Sequence, residues 1–119
     1  MHEIDRTRRV SELLKRELAW IIPRELNDDR INGVTVTGVT VSRDLKQSTI
    51  YFSHMDSPLD SSKLEKLLNN SAGYLRHVVS QNVEMRSMPA LVFKFDKSIE
   101  RGVELSSLID RLNRDHGDN

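Results

Sequence analysis

Ser71-Ala72-Gly73, followed by Tyr74, Arg76, His77 and then Arg86, is the cluster whose residue types and spacing point most directly to a binding chemistry. It lies within Ser62 to Met88, where Leu64, Leu67, Leu68, Leu75, Val78 and Val79 recur at helical spacing, and it interrupts that apolar stripe midway. A helix that bends at small residues restarts with backbone amides outside its ladder and with the positive end of a dipole. Both favour a phosphate. Arg76 would add a bidentate donor beside it. The same residues have a second explanation: glycine costs about 1 kcal/mol in a helix relative to alanine, and is kept where two helices must cross closely.

A second set of cations stands near the start of the chain: Arg6, Arg8 and Arg9, with Arg16 almost in register with Arg9 and Arg6 about 60° away around a helix. Arg43 sits in a turn. Twelve of the 18 basic residues are arginine, whose planar fork suits phosphate better than an ammonium does. The 18 basic residues are matched by 18 acidic ones, so there is no overall positive field, and any phosphate contact has to be local. Glu100, Glu104, Asp110, Asp115 and Asp118 make the far end acidic, which gives a dipolar chain. The arginines of the first helix are equally readable as a solvated face.

Other chemistries find no support. Among His2, His54, His77 and His116 no pair has the i, i+3 or i, i+4 spacing of a helical zinc site, and cysteine is absent. There is no Gly-x-Ser-x-Gly elbow and no Gly-x-x-x-x-Gly-Lys phosphate loop, and Asp28-Asp29 reads as a turn. The expectation is a protein that is not an enzyme, with no metal and no cofactor. Lack of cysteine suits a reducing cytosol, and no apolar run has the length of a signal peptide or membrane span. A soluble cytoplasmic protein is expected.

Those cations need elements to hold them. Val10, Leu13, Leu14, Leu18, Ile21 and Ile22 predict an amphipathic helix from about Asp5, its plausible cap, to Ile22, where Pro23 should end or kink it and leave 24–27 frayed. Val34 to Ser42 predicts a strand in which the apolar parity switches at Gly38, the mark of a bulge. Ser42-Arg43-Asp44-Leu45 turns the chain into a second strand, Gln47 to Ser53. Ser61 or Ser62 would cap the interrupted helix, and Ala90 to Lys97 alternates as a third strand. Ser98 would cap a last helix built on Ile99, Leu105, Leu108, Ile109 and Leu112. The order α-β-β-α(kinked)-β-α, with a helical crossover before the third strand, predicts an α+β fold. Its small mixed three-stranded sheet would carry helices on one face, as a single domain over 1–119 with frayed ends at about 1–4 and 114–119.

In that order and spacing the chain resembles the bacterial ribosome-binding factor A family over almost its whole length. The resemblance runs from Arg6-Thr7-Arg8-Arg9-Val10 through Thr35-Val36-Thr37-Gly38-Val39 and Val41-Ser42-Arg43-Asp44-Leu45. It continues with Ser71-Ala72-Gly73-Tyr74-Leu75-Arg76, Met88-Pro89, Leu91-Val92-Phe93 and Phe95-Asp96-Lys97-Ser98. The resemblance implies a type II KH-like domain whose Gly-x-x-Gly loop is replaced by an Ala-x-Gly kink. It also implies a non-catalytic factor that binds the free, immature small (30S) ribosomal subunit and its 16S rRNA. Such a factor assists late maturation and 5′-end processing, notably in the cold, and is expected to be a monomer.

Carried over by motif, the RNA contacts would be Arg6, Arg8 and Arg9 from the first helix, Arg43 from the hairpin turn, Ser71, Ala72, Gly73 and Arg76 at the kink, and Arg86; Arg16, on the same exposed edge of the helix as Arg9, is added to them. Tyr74 would be the one exposed aromatic. Ser71 stands where the family usually has alanine, Pro23 is unusual in the first helix, and the neutral charge with a short tail departs from more basic members. The other functional class is a protein-interaction module that docks a ribosomal protein or another assembly factor. Steep salt dependence would separate RNA contact from an apolar protein interface.

Overall fold

Leu14, Leu18, Ile21 and Ile22 recur on one side of the first segment and are all buried, which is why Glu3–Glu25 holds as a helix, α1. The structure is a computed structural model that describes residues 3–55, 57 and 59–98. After α1 come a single 3-10 turn, Asp29–Ile31, and the strands β1, Thr35–Val41, and β2, Gln47–Ser53. Helices α2, Ser61–Asn70, and α3, Ala72–Asn82, lead to β3, Ala90–Phe95. Lys97 and Ser98 are already helical, and Asp96, not Ser98, stands in the capping position, its Oδ1 accepting from the Ser98 amide at 2.9 Å; the rest of the expected final helix and the chain ends at 1–2 and 114–119 lie outside the described residues. Among those described, no helix is long and apolar enough to cross a membrane.

The sheet order is β1-β2-β3, with β1 antiparallel and β3 parallel to β2. It is the α+β, KH-like arrangement with a mixed sheet. The register shifts between Val36 and Gly38, so the bulge sits where the parity switch placed it, and Thr37 is the extra residue. Thr37 is used: its hydroxyl donates to Asp96 Oδ2 at 2.5 Å, just past the end of β3. Asp96 Oδ1 accepts from the Ser98 amide and hydroxyl, and these bonds, Ser98 first and Thr37 next, hold its carboxyl below the usual carboxylate range.

Val36, Ile50, Phe52, Leu91 and Phe93 point to one face of the sheet and are buried against Leu14 and Leu18 of α1, Leu64 and Leu68 of α2, and Leu75 and Val79 of α3. Phe52 and Phe95 meet edge to face at 5.9 Å. The opposite face carries Tyr51, Val92 and Lys94, which are more exposed. The free edge of β3 is covered by α2 in the manner of a fourth strand. Asn69 donates through Nδ2 to the Phe93 carbonyl at 3.0 Å and accepts from the Phe93 amide at 2.8 Å, while Glu65 accepts from the Phe95 amide at 3.0 Å.

Several expected boundaries are corrected. Helix α1 does not stop at Ile22: the Leu26 amide bonds the Ile22 carbonyl at 3.0 Å, and 24 and 25 are helical. Pro23 costs the bond to Ala19, but both residues are exposed, so water can take that carbonyl while Ile21 and Ile22 anchor the buried side. Asp5 lies inside the first turns rather than at the cap. The cap of α2 is Asp60, which accepts from the Lys63 amide at 2.8 Å, not Ser61 or Ser62; Ser61 Oγ instead lies 3.3 Å from His54 Nε2. Helix α3 ends at Asn82, and β3 at Phe95, because Asp96 turns the chain there.

Candidate nucleic-acid interface

Three segments converge at one end of the fold: the start of α1, the β1–β2 turn and the loop from α3 to β3. The turn is built by Ser42 and Asp44. The Ser42 hydroxyl donates to Asp44 Oδ1 at 2.7 Å, and the same oxygen accepts from the Lys46 amide at 3.0 Å. These bonds, the serine's first, hold the Asp44 carboxyl below its ordinary range. Leu45 adopts a φ of +60°, a left-handed conformation that costs a non-glycine residue about 1 kcal/mol. Gly33, at φ +84°, has a different reason for its type. A Cβ there would sit 2.2 Å from the Met55 carbonyl oxygen, so only glycine lets the Ile31–Val34 turn and the 53–55 segment approach.

The loop from α3 to β3 is held by Arg76. Its Nε donates to the Met88 and Pro89 carbonyls at 3.1 and 3.2 Å, and one terminal nitrogen donates to Met88 at 2.6 Å. Arg76 thus braces the loop that carries Arg86. Removing these charge-assisted bonds with Arg76→Gln should cost about 1–2 kcal/mol in urea unfolding, whereas Arg43→Gln, exposed at the hairpin tip, should stay within about 0.5 kcal/mol.

Together the three segments enclose a groove of about 390 Å³ lined by Arg6, Arg9 and Val10, by Asp44 and Leu45, and by 85–87 with Arg86 at their centre. Three arginines thus line one concavity whose single carboxylate among the described residues, Asp44, is already engaged by the turn. Arg43 stands next to this groove without lining it. Arg8 faces an adjoining cleft and pairs with Glu12 at 3.3 Å, both well exposed. Arg16 lies further along α1, 3.9 Å from Glu17.

The kink is a separate place. Ser71 alone separates α2 from α3, with φ −94° and ψ −2°, and no side chain caps the start of α3. A Cβ on Gly73 would meet nothing within 4 Å, so close helix crossing does not account for the glycine among the described residues. Tyr74, just beyond, donates its hydroxyl to Glu25 at 2.6 Å, which raises the Tyr74 pKa above its usual value and ties the start of α3 to the end of α1. Since Met85 lies with Arg6 at the other end of α1, the two helices run antiparallel. The kink and the groove are therefore separated by the length of α3, about 16 Å.

Tyr74 is not the sole exposed aromatic. Trp20 is 62% exposed against 51% for Tyr74, with the Arg24 guanidinium 4.3 Å from its ring centroid. The helical wheel held the signal for it. Arg6, Arg9, Arg16, Trp20 and Arg24 fall within about 80° of one another.

The profile of the family described as Ribosome-binding factor A matches residues 6–109. The chain belongs to the ribosome-binding factor A family. It is 48% identical over 109 residues to Ribosome-binding factor A of Nitrosococcus oceani, covering 92% of this chain and 86% of that protein. With Ribosome-binding factor A of Pseudomonas aeruginosa it shares 42% over 123 residues, covering 98% and 95%. Its fold is similar to the crystal structure of ribosome-binding factor A from Thermus thermophilus, with TM-score 0.64, 26% identity, and 73% of this chain and 92% of that one covered. It is also similar to Thermus thermophilus ribosome-binding factor A coordinates fitted into a cryo-EM map of a 30S complex, with TM-score 0.62 and 26% identity, covering 73% and 91%. The family resemblance seen in the order of short motifs is thereby established for the chain.

Proposed function

We propose that this protein is a non-catalytic assembly factor that binds the immature 30S subunit by its 16S rRNA, as a monomer, and assists late maturation including 5′-end processing, with cold as the condition that most needs it. The observation that carries the reading is the groove: Arg6, Arg9 and Arg86, from segments far apart in sequence, face one concavity with one engaged carboxylate. This is a local positive site in a chain of zero net charge. The relative fitted into a 30S complex supports the same partner. Arg8, Arg43 and Arg16 extend the basic surface along α1 and the hairpin tip, and Ser71, Ala72 and Gly73 offer a second, uncharged contact at the kink. Arg76 acts by bracing the loop.

The reading predicts shape-directed backbone contact rather than sequence readout. Affinity for purified small subunits, measured over a range of KCl, should fall with a log–log slope of roughly −2 to −3, the value for three arginine–phosphate contacts. A slope near zero would overturn the reading and favour the docking of a protein.

A further inference from the structure

The exposed stripe of α1 does not end at the groove. It runs on through Arg16 to Trp20, about 17 Å beyond Arg9 at 1.5 Å per residue, and to Arg24, one turn further. Trp20 is the only tryptophan in the chain, and in a sequence with 5% aromatic residues it is placed outside a core built mainly of aliphatic side chains. At 62% exposed on a cationic face, Trp20 presents apolar area and a π-face to whatever binds there. The surroundings say which kind. Arg24 lies over the indole at 4.3 Å and fixes its orientation, and Arg16, Glu17, Ala19 and Trp20 line an open groove of about 490 Å³ beside it.

An apolar protein surface that docked here would cover Arg16 and Arg24 without supplying a counter-charge. An unpaired nucleotide brings a π-face for the indole and phosphates for the two guanidinium groups, and Glu17, 3.9 Å from Arg16, helps to hold that guanidinium at the edge of the groove. We infer that Trp20 is a stacking platform for an unpaired base of single-stranded RNA, with Arg16 and Arg24 on its flanking phosphates. This rests on the proposed rRNA-binding reading and adds a second, base-level contact to it.

The single tryptophan is its own reporter. Titrating the full chain with an oligoadenylate of about ten nucleotides should quench Trp20 emission, and a duplex of the same length should quench it little. With labelled oligoadenylate followed by anisotropy, Trp20→Ala should weaken binding about tenfold and Trp20→Phe less than about threefold, because a benzene ring retains a stacking face. Trp20 is exposed, so neither variant disturbs the core. RNA binding that leaves Trp20 emission unchanged, or equal affinity of Trp20→Ala and the unaltered chain, would overturn the inference while leaving the groove intact. Failure of the groove would show instead as unchanged affinity for small subunits when Arg9 and Arg86 are reversed together. Quenching by small subunits but not by free RNA would also overturn the inference, placing a ribosomal protein on the indole.

Discussion

Asn69→Leu is expected to cost about 2–4 kcal/mol of stability and to make the protein associate through its sheet edge. Asn69 serves both backbone groups of Phe93 at 3.0 and 2.8 Å, on the side of β3 that faces away from β2. Phe93 is fully buried, and leucine is close to asparagine in size, so the substitution covers that amide and carbonyl without pairing them. Each orphaned group costs about 1–3 kcal/mol, and the apolar burial of leucine returns part of this. Glu65 would still hold the Phe95 amide, so the edge loosens from its middle.

Asn69→Asp separates the contributions. It keeps an acceptor for the Phe93 amide but sets a carboxylate against the Phe93 carbonyl, and should fall between the two in urea unfolding. Light scattering during refolding reports the edge, since an unpaired strand is a template for a second copy. Unfolding free energies for Asn69→Leu and the unaltered protein that agree to within about 0.5 kcal/mol would show that α2 merely lies beside β3.

How far such features could be read beforehand follows from the range of the interactions. The alternation of Leu91, Phe93 and Phe95, the helical spacing of Leu64, Leu68 and Leu75, and the parity switch around Gly38 are local, and each marks its element directly. Caps are local too, yet Asp60, Ser61 and Ser62 are three good candidates in a row, and only the Lys63 amide bond selects Asp60. Pro23 misled because its lost bond falls on the wet side of α1, which the residue type alone does not reveal.

The side chains that organise the site act over long separations. Thr37 reaches Asp96, Asn69 reaches Phe93, and Arg76 turns to the Met88 and Pro89 carbonyls. Charge and type made Arg76 resemble a free phosphate ligand, because nothing near it in sequence announces those carbonyls. The kink at Ser71 was visible as a break in a stripe. The groove was visible only as scattered arginines, since 6, 9 and 86 become neighbours through the antiparallel packing of α1 on α3, and the hairpin turn joins them through the packing of α1 on β1.

That convergence makes the paired reversal Arg9→Glu with Arg86→Glu the most damaging change expected for function. At about 4 Å from a phosphate in water a unit charge is worth about 1 kcal/mol, and reversal both removes the attraction and adds an equal repulsion. Two sites give about 4 kcal/mol at low salt, close to a thousandfold in affinity. Screening over a Debye length of about 8 Å at physiological salt brings this nearer to a hundredfold. Both side chains are exposed, so the unfolding free energy should change by no more than about 0.5 kcal/mol, which separates lost binding from lost fold.

Arg8→Glu, on a residue already shared with Glu12 and outside the groove, should cost only severalfold, and Lys66→Glu on the exposed side of α2 should cost nothing measurable. The order of the three variants matters more than any one value. If binding depended on overall charge, Arg8→Glu and Lys66→Glu would each cost as much as either reversal in the groove. If it depends on three guanidinium groups meeting one strand of phosphates, the losses are concentrated at Arg9 and Arg86, and they shrink together as salt is raised. Co-sedimentation with purified small subunits at two salt concentrations distinguishes these outcomes, and small-subunit binding by the double variant equal to that of the unaltered protein would exclude the groove as the contact.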